Sequence, residues 1–322
     1  MSTISILMPV YNGMPYIKEA IESVMAQDYK DWELIISDNG SKDETLNYLD
    51  TLVDSRIKIH KQETNLGVYG NLNFLLERAE TPIAKIFCAD DKLLPGALEK
   101  SYLFMTDNPD CAICRCWQMG DTETDGPTGY GGSFGDVPVK LNPAAAILMF
   151  ATFGNVVGSL STAICRPDLV LKSGGFNQRL PAAGDYECWL RVAQRYGVAF
   201  LKEELIYVRM HEQQNSKLLN DNNQVCAQQN EILEHIFSII DESDKNMIRK
   251  HWTLHFIAPR TSYAFKFLLK GKFQMAFKSW RALPANISAI KAIASYPIWK
   301  SKSSIYYISS NKLRDRINEL NL

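Results

Sequence analysis

The run Ile83-Ala84-Lys85-Ile86-Phe87-Cys88-Ala89-Asp90-Asp91 sets an apolar, β-prone segment directly against two adjacent carboxylates. Its length and composition predict a buried strand. Neighbouring side chains on an extended chain point opposite ways, so Asp90 and Asp91 can serve two different partners at the strand's carboxyl end. In open α/β sheets that end is where ligands bind. Two like charges side by side repel, and a hard divalent cation held through oxygen relieves the repulsion. Such a cation would in turn hold the phosphates of a nucleotide. A plainer reading stands beside this one. Asp91, followed by Leu93-Leu94-Pro95, also suits a solvated turn that caps the next helix, and on this stretch alone the two are evenly matched.

Three similar units precede the run. Thr3 to Val10 reads as a strand, broken by Pro9-Val10-Tyr11-Asn12-Gly13, and Pro15 opens a helix with Ile17, Ala20, Ile21, Val24 and Met25 at apolar spacing. Trp32 to Ser37 predicts a second strand ending at Asp38-Asn39-Gly40-Ser41, with Asp43 capping a helix through Leu52. Arg56 to His60 predicts a third, followed by Asn65-Leu66-Gly67 and a helix to about Ala79. Pro95 to Met105 is the helix after the opening run. Strand, loop and helix repeated four times predict an α/β fold with a mostly parallel sheet flanked by helices. Polar residues collect at the strand ends, where function belongs: Asn12, Asp38, Asn65, Asp90 and Asp91. Further on, Cys111–Trp117 and Leu160–Cys165 read as strands, 119–138 as a long binding loop, and Asn142–Phe150 and Asp185–Tyr196 as helices. Val198–Leu201 and Leu205–Met210 read as two short strands. Beyond Gln224 the pattern is helical, broken at Pro259, Gly271, Pro284 and Pro297.

The apolar fraction of 46% and charged fraction of 22% are those of an ordinary globular chain, and 322 residues suffice for one large domain with an appendage. Charge is unevenly placed. Residues 1–244 carry 20 Lys and Arg against 34 Asp and Glu, whereas 245–322 carry 15 against 2. An acidic body therefore precedes a basic tail. The opening ten residues lack a basic leader and a small-residue cleavage site, and the seven cysteines are odd in number, which together predict a reduced, cytoplasmic setting. Cys111, Cys114 and Cys116 lack a fourth ligand nearby, and read as small buried hydrophobes. No apolar run reaches the length of a membrane span.

Pro9-Val10-Tyr11-Asn12, Ile36-Ser37-Asp38-Asn39-Gly40-Ser41-Lys42-Asp43, Asn65-Leu66-Gly67 and Ala89-Asp90-Asp91, in that order, resemble the opening half of a family 2 glycosyltransferase of the GT-A fold. Gly184-Asp185-Tyr186-Glu187-Cys188-Trp189-Leu190-Arg191 and Tyr207-Val208-Arg209-Met210-His211 through Ser216 extend the likeness over roughly residues 3–216. The resemblance implies a GT-A type, Rossmann-like catalytic domain over 1–220 with a helical, basic extension over 221–322. It implies a nucleotide-sugar donor, a UDP-sugar in particular, and an inverting transfer to a glycan or lipid-linked hydroxyl in polysaccharide biosynthesis. Pro9, Tyr11, Asn12, Asp38, Asn65 and Gly67 would line the donor pocket. Asp90 would contact the ribose, Asp91 and His211 would hold Mn2+ or Mg2+, and Asp185 would be the general base. Each has an ordinary alternative: Asp185 as a helix N-cap, Asp38 as a turn cap, His211 as a surface histidine. A helix N-terminus at Asp185 also predicts a lowered pKa.

Three positions depart from the family pattern. Cys88 stands where an acid often opens the metal motif, Gly70 where a base often precedes Asn71, and Gly184 where a Glu usually precedes the catalytic Asp. In the tail, cations interleave with aromatics, and Phe273, Phe277, Trp280 and Arg281 recur at helical spacing. That composition suits an anionic membrane surface, hence a peripheral position at the inner face, or equally a solvated helical appendage. Nucleic acid is disfavoured because no binding motif accompanies the charge. The rivals are a sugar-phosphate nucleotidyltransferase, which would want a Gly-rich, Arg-containing loop after the first strand, and a degenerate domain that only binds a glycan or membrane. A nicotinamide dehydrogenase is disfavoured by the lack of Gly-x-Gly-x-x-Gly after a strand.

Overall fold

A computed structural model describes residues 2–120, 138–211, 224–252, 264, 266–281 and 303–322. Two compact units divide the chain: Met1–Ala146 with Asn155–His211, and Ile147–Gly154 with Glu212–Leu322. The first unit is built on nine strands in the order β3-β2-β1-β4-β8-β6-β9-β5, with β7 beside β9. Its left half is parallel: β1 (Ile4–Val10), β2 (Trp32–Asp38), β3 (Ile57–Lys61) and β4 (Ala84–Ile86). β1 and β2 are buried along nearly their whole length, as strands covered on both faces must be, which is why they read as apolar runs without alternation. Helices α1 (Ile17–Met25), α2 (Thr45–Leu49), α3 (Gly67–Leu76) and α4 (Ala97–Asp107) follow them. α1 buries Ile17, Ala20, Ile21 and Val24, but Met25 is exposed.

The right half changes direction. β8 (Ala163–Cys165) runs antiparallel to β4 and to β6 (Ile113–Gly120), and β9 (Val198–Val208) runs parallel to β6. The stretch expected as two strands is a single one. Lys202-Glu203-Glu204 interrupts its apolar pattern because these side chains are exposed where the ladder with β6 shifts register. Leu160–Thr162 is a 3-10 turn rather than strand, and β5 (Lys92–Leu93), antiparallel to β9, is too short to have been legible. Cys111, Cys114 and Cys116 are buried at and within β6, as small hydrophobes. Most of the expected 119–138 loop lies outside the described residues. The unit is completed by β7 (Lys140–Leu141), α6 (Pro167–Lys172) and α7 (Gly184–Tyr196).

Two buried cations sit in this sheet. The Lys85 ammonium on β4 donates to the Ser161 carbonyl at 2.5 Å, and the Arg115 guanidinium on β6 donates to the Val156 carbonyl at 2.9 Å. Both therefore hold the 155–162 segment, which leads into β8, the strand between them.

The second unit is helical where described. It takes in most of α5 (Pro143–Phe153), then α8 (Gln224–Ile239), α9 (Glu242–Trp252), α10 (Phe273–Arg281) and α11 (Ser303–Leu320). Trp252 Nε1 donates to the Ala151 carbonyl at 2.8 Å, and Arg316 pairs with the buried Asp244 at 3.2 Å. The expected break at Gly271 is present, with φ +69°, while Pro259, Pro284 and Pro297 lie outside the described residues.

Gly197 joins α7 to β9 with φ +72°, and a Cβ there would stand 2.0 Å from the Leu141 carbonyl oxygen of β7. Gly197→Ala meets both the backbone conformation and rigid backbone, so it is expected to cost at least about 2 kcal/mol. Urea denaturation followed by circular dichroism measures this as a lowered midpoint.

Candidate active site

The register of β1 against β2 places Val10 beside Asp38, so the loops leaving both strands lie together. Asp38 is 1% exposed. Its Oδ1 accepts the Gly40 and Ser41 N–H groups at 3.1 and 3.0 Å, which is the turn-cap role. Its Oδ2 is buried with no hydrogen-bond partner among the described residues. One oxygen thus shapes the loop and the other remains an acceptor in want of a donor. Tyr11 is half exposed and Pro9 partly so. Asn12 takes φ +52°, a conformation asparagine tolerates, and its Oδ1 accepts the Lys42 N–H at 2.8 Å. Its carboxamide oxygen therefore ties the two loops together. Asn65 and Gly67 belong to a cluster centred on Asn39, which donates to Asn65 Oδ1 at 3.0 Å and accepts the Leu66 N–H at 2.7 Å.

At the end of β4 the chain turns back, with the Asp91 N–H on the Cys88 carbonyl at 3.2 Å. That turn brings one donor atom from each of Cys88, Asp90 and Asp91 within 4.8 Å of one another, a set of two carboxylates and a thiol suited to a divalent cation. Asp91 is 4% exposed, and burial followed by the charge of Asp90 pushes its carboxyl up to about 7. Burial with the same two aspartates raises the Cys88 thiol. Opposing this, Asp91 Oδ1 accepts the Arg209 N–H at 3.1 Å, and the Lys85 ammonium favours the anion from beneath. A cation at the cluster would remove the repulsion that burial aggravates.

The end of β9 delivers the remaining groups. Arg209 Nε donates to the Asp90 carbonyl at 3.1 Å. His211 Nε2 lies 3.0 Å from Asp90 Oδ2, and its Nδ1 is buried without a partner among the described residues. The converging donor set does not include His211, which meets it only through Asp90.

Asp185 stands in the first turn of α7. Its Oδ1 accepts the Tyr186 N–H at 2.8 Å and the Tyr69 hydroxyl at 3.2 Å, and its Oδ2 accepts Asn155 Nδ2 at 2.9 Å. The helix N-terminus alone would lower its pKa, but the net shift is upward: burial is the largest effect and exceeds the hydrogen bonds that hold the anion. Burial and the adjacent aspartate raise the Tyr69 phenol, so it remains a donor. Glu187 points elsewhere, paired with Arg191 at 2.7 Å. Gly184 has a steric reason, for a Cβ there would lie 2.6 Å from the Tyr69 ring. The missing Glu leaves room for the tyrosine that reaches Asp185.

The same 155–162 segment reaches both acidic centres. Asn155 contacts Asp185, while Ser161 Oγ accepts the Cys88 N–H at 2.9 Å and favours the Asp91 anion. Sequence reasoning missed Asn155, Ser161 and Tyr69, and held Asn39 and Arg209 within quoted motifs without giving them a role. The one local signal was Lys85, a cation at the centre of an apolar strand.

Residues 5–156 match the model of the family described as Glycosyl transferase family 2. An uncharacterized glycosyltransferase of Rickettsia felis is 29% identical over 228 residues, 69% of this chain, and the match spans only 36% of the relative's length. One from Haemophilus influenzae is 28% identical over 224 residues, covering 67% of this chain and 68% of the relative. Among solved structures, S. aureus TarS in complex with UDP-GlcNAc aligns with a TM-score of 0.62 at 18% identity, over 98% of this chain and 92% of that one. The mannosyltransferase PcManGT from Pyrobaculum calidifontis, in complex with GDP-Man and Mn2+, aligns with a TM-score of 0.57 at 15% identity, over 98% and 85%. The fold is that of the GT-A glycosyltransferases. The sequence likeness, over residues 5–156, is to glycosyl transferase family 2.

Tyr69→Phe removes a hydrogen bond that favours the Asp185 anion, so the already raised carboxyl should move further up. A carbon-13 NMR titration of labelled aspartate carboxyls, read against Asp185→Asn for assignment, measures the direction.

Proposed function

We propose that the chain transfers a sugar from a nucleotide-diphosphate-sugar donor, a UDP-sugar by preference, to a hydroxyl of a glycan or lipid-linked acceptor, with inversion, in polysaccharide biosynthesis. The observation that carries this reading is the single segment that serves both acidic centres, through Asn155 at Asp185 and Ser161 at Cys88. Such a transfer needs one group that deprotonates the attacking oxygen and another that eases departure of the diphosphate. Asp185 is the base in this reading. Tyr69, Asn155 and the Tyr186 N–H fix the carboxylate, and its raised pKa makes it the more basic. Asp38 Oδ2 accepts from the donor's base, within a pocket lined by Pro9, Tyr11, Asn12, Asn65 and Gly67. Asp90 meets the ribose. Asp91 would hold the cation, joined by His211 once its Nε2 leaves Asp90 Oδ2, with Cys88 and Asp90 offering the neighbouring donor atoms. Mn2+ or Mg2+ bound there supplies charge neutralisation at the leaving diphosphate. The UDP-GlcNAc and GDP-Man complexes of the two structural relatives support a nucleotide sugar, and the former the uridine preference.

In this reading residues 1–220 form the catalytic domain and 221–322 a basic helical extension that rests on anionic lipid at the inner face of the membrane. No helix among the described residues is long and apolar enough to cross one. Leu269, Phe273 and Phe277 are 87%, 69% and 61% exposed, and Lys266, Lys270 and Lys272 beside them are exposed too, which supports a surface that seats apolar rings among lipid headgroups.

A panel of nucleotide sugars, with and without Mn2+, tests the reaction. Nucleoside diphosphate release that Asp91→Ala abolishes supports it; pyrophosphate exchange indicates a nucleotidyltransferase, and donor binding without turnover a degenerate domain. Asp185→Asn should lower kcat by about a hundred- to ten-thousandfold while donor affinity is retained. Only the ionised base works, so kcat/KM should fall as pH drops through a carboxyl pKa above the usual range. For the tail, sedimentation with phosphatidylserine vesicles at low and high salt is expected to bring the protein down, and Phe273→Ser with Phe277→Ser to leave it in solution. If wild type stays in solution at both salts, lipid docking is wrong.

A further inference from the structure

Within the proposed cation site one donor is out of keeping with an all-oxygen cluster. Of the six described cysteines, five are buried, and Cys88 alone is partly exposed. It does not fill the core. Its backbone is pinned on two sides, by Ser161 Oγ on its N–H at 2.9 Å and by the Asp91 N–H on its carbonyl at 3.2 Å. The turn so formed presents its Sγ to the same point as the carboxylates of Asp90 and Asp91, all within 4.8 Å. Metal–sulfur bonds of about 2.3 Å and metal–oxygen bonds of about 2.0–2.2 Å put opposed ligands of one ion about 4.5 Å apart. The cluster is thus a small side-chain rotation from a shared ion.

We infer that Cys88 Sγ is itself a ligand of the cation and biases the site away from Mg2+, toward Mn2+ and more strongly toward thiophilic ions such as Co2+, Zn2+ and Cd2+. Thiolate sulfur is a soft donor that binds such ions far better than it binds Mg2+, whereas carboxylate oxygen suits Mg2+ and Mn2+. On binding, a sulfur lone pair goes to the metal and the thiol proton leaves to solvent, so the ligand contributes one negative charge only when the ion is present. Without the ion the site carries one negative charge fewer than three carboxylates would. The inference rests on the cation site proposed above, and spectroscopy separates the two.

The full chain is titrated with Co2+, Cd2+ and Mn2+ alongside Cys88→Ser and Cys88→Asp, each checked for native circular dichroism. Wild type should develop near-ultraviolet thiolate-to-metal charge-transfer absorption with Co2+ and Cd2+, absent from both variants. Affinity for Cd2+ should fall about tenfold or more in Cys88→Ser, and that for Mn2+ by less than about threefold. Cys88→Asp should shift the preference, relative to wild type, from Cd2+ toward Mn2+ and Mg2+. Absence of the thiolate band, or equal Cd2+ affinity in wild type and Cys88→Ser, overturns the inference and leaves Cys88 a bystander. Metal-dependent donor turnover persisting in that case preserves the transferase reading; a thiolate band in a protein that turns over no donor sinks that reading and not this one.

Discussion

Two buried cations under one short segment govern the arrangement of the first unit. An ammonium or guanidinium removed from water costs several kcal/mol unless its hydrogen bonds are replaced. Lys85 and Arg115 find replacements in the backbone carbonyls of Ser161 and Val156. Lifting the segment away would take a backbone carbonyl from each cation, and it is the segment that carries Asn155 and Ser161 to their acidic neighbours. Lys85 acts a second time as a positive charge below Asp91, offsetting part of the repulsion that burial and Asp90 create there. The same ammonium thus also favours the charged form of Asp91, more weakly than Ser161 and the Arg209 N–H do.

The parallel half of the sheet was legible because β1 and β2 are buried on both faces, β3 alternates, and polar Asn and Asp positions collect at the strand ends. Where that rule weakens, so does the reading. β9 was divided in two because Lys202-Glu203-Glu204 looks like a loop, yet this exposed segment over a register shift is polar without leaving the sheet. The acidic positions at strand ends could be found from order and spacing. Their partners could not, since Tyr69 and Asn155 lie 116 and 30 residues from Asp185 in sequence and meet it only through the fold. The direction of the Asp185 shift was misjudged for the same reason: a helix terminus is visible in a sequence, whereas the burial that outweighs it is not.

The departures from the family pattern are of different kinds. Gly184 is a compensated change, with the tyrosine ring occupying the space a side chain would need. Gly70 faces Gln178, whose Oε1 would lie 3.1 Å from an added Cβ, so a long basic side chain there would have to displace it. Cys88 keeps its place in the cluster while changing the donor element. A substitution at a motif position can therefore preserve geometry, relocate it or alter its chemistry, and the letter alone does not say which.

The chain enters the second unit within α5 and is back in the first by Asn155, well before the rest of the second unit is encountered. A ribosome therefore releases residues 147–154 long before the helices they assemble with. Until those helices emerge, the Ala151 carbonyl lacks the indole and the Phe153 ring lacks the imidazole that attend them in the finished protein. No single cut yields both units whole, and a gene shortened after His211 would leave an orphaned turn in its product.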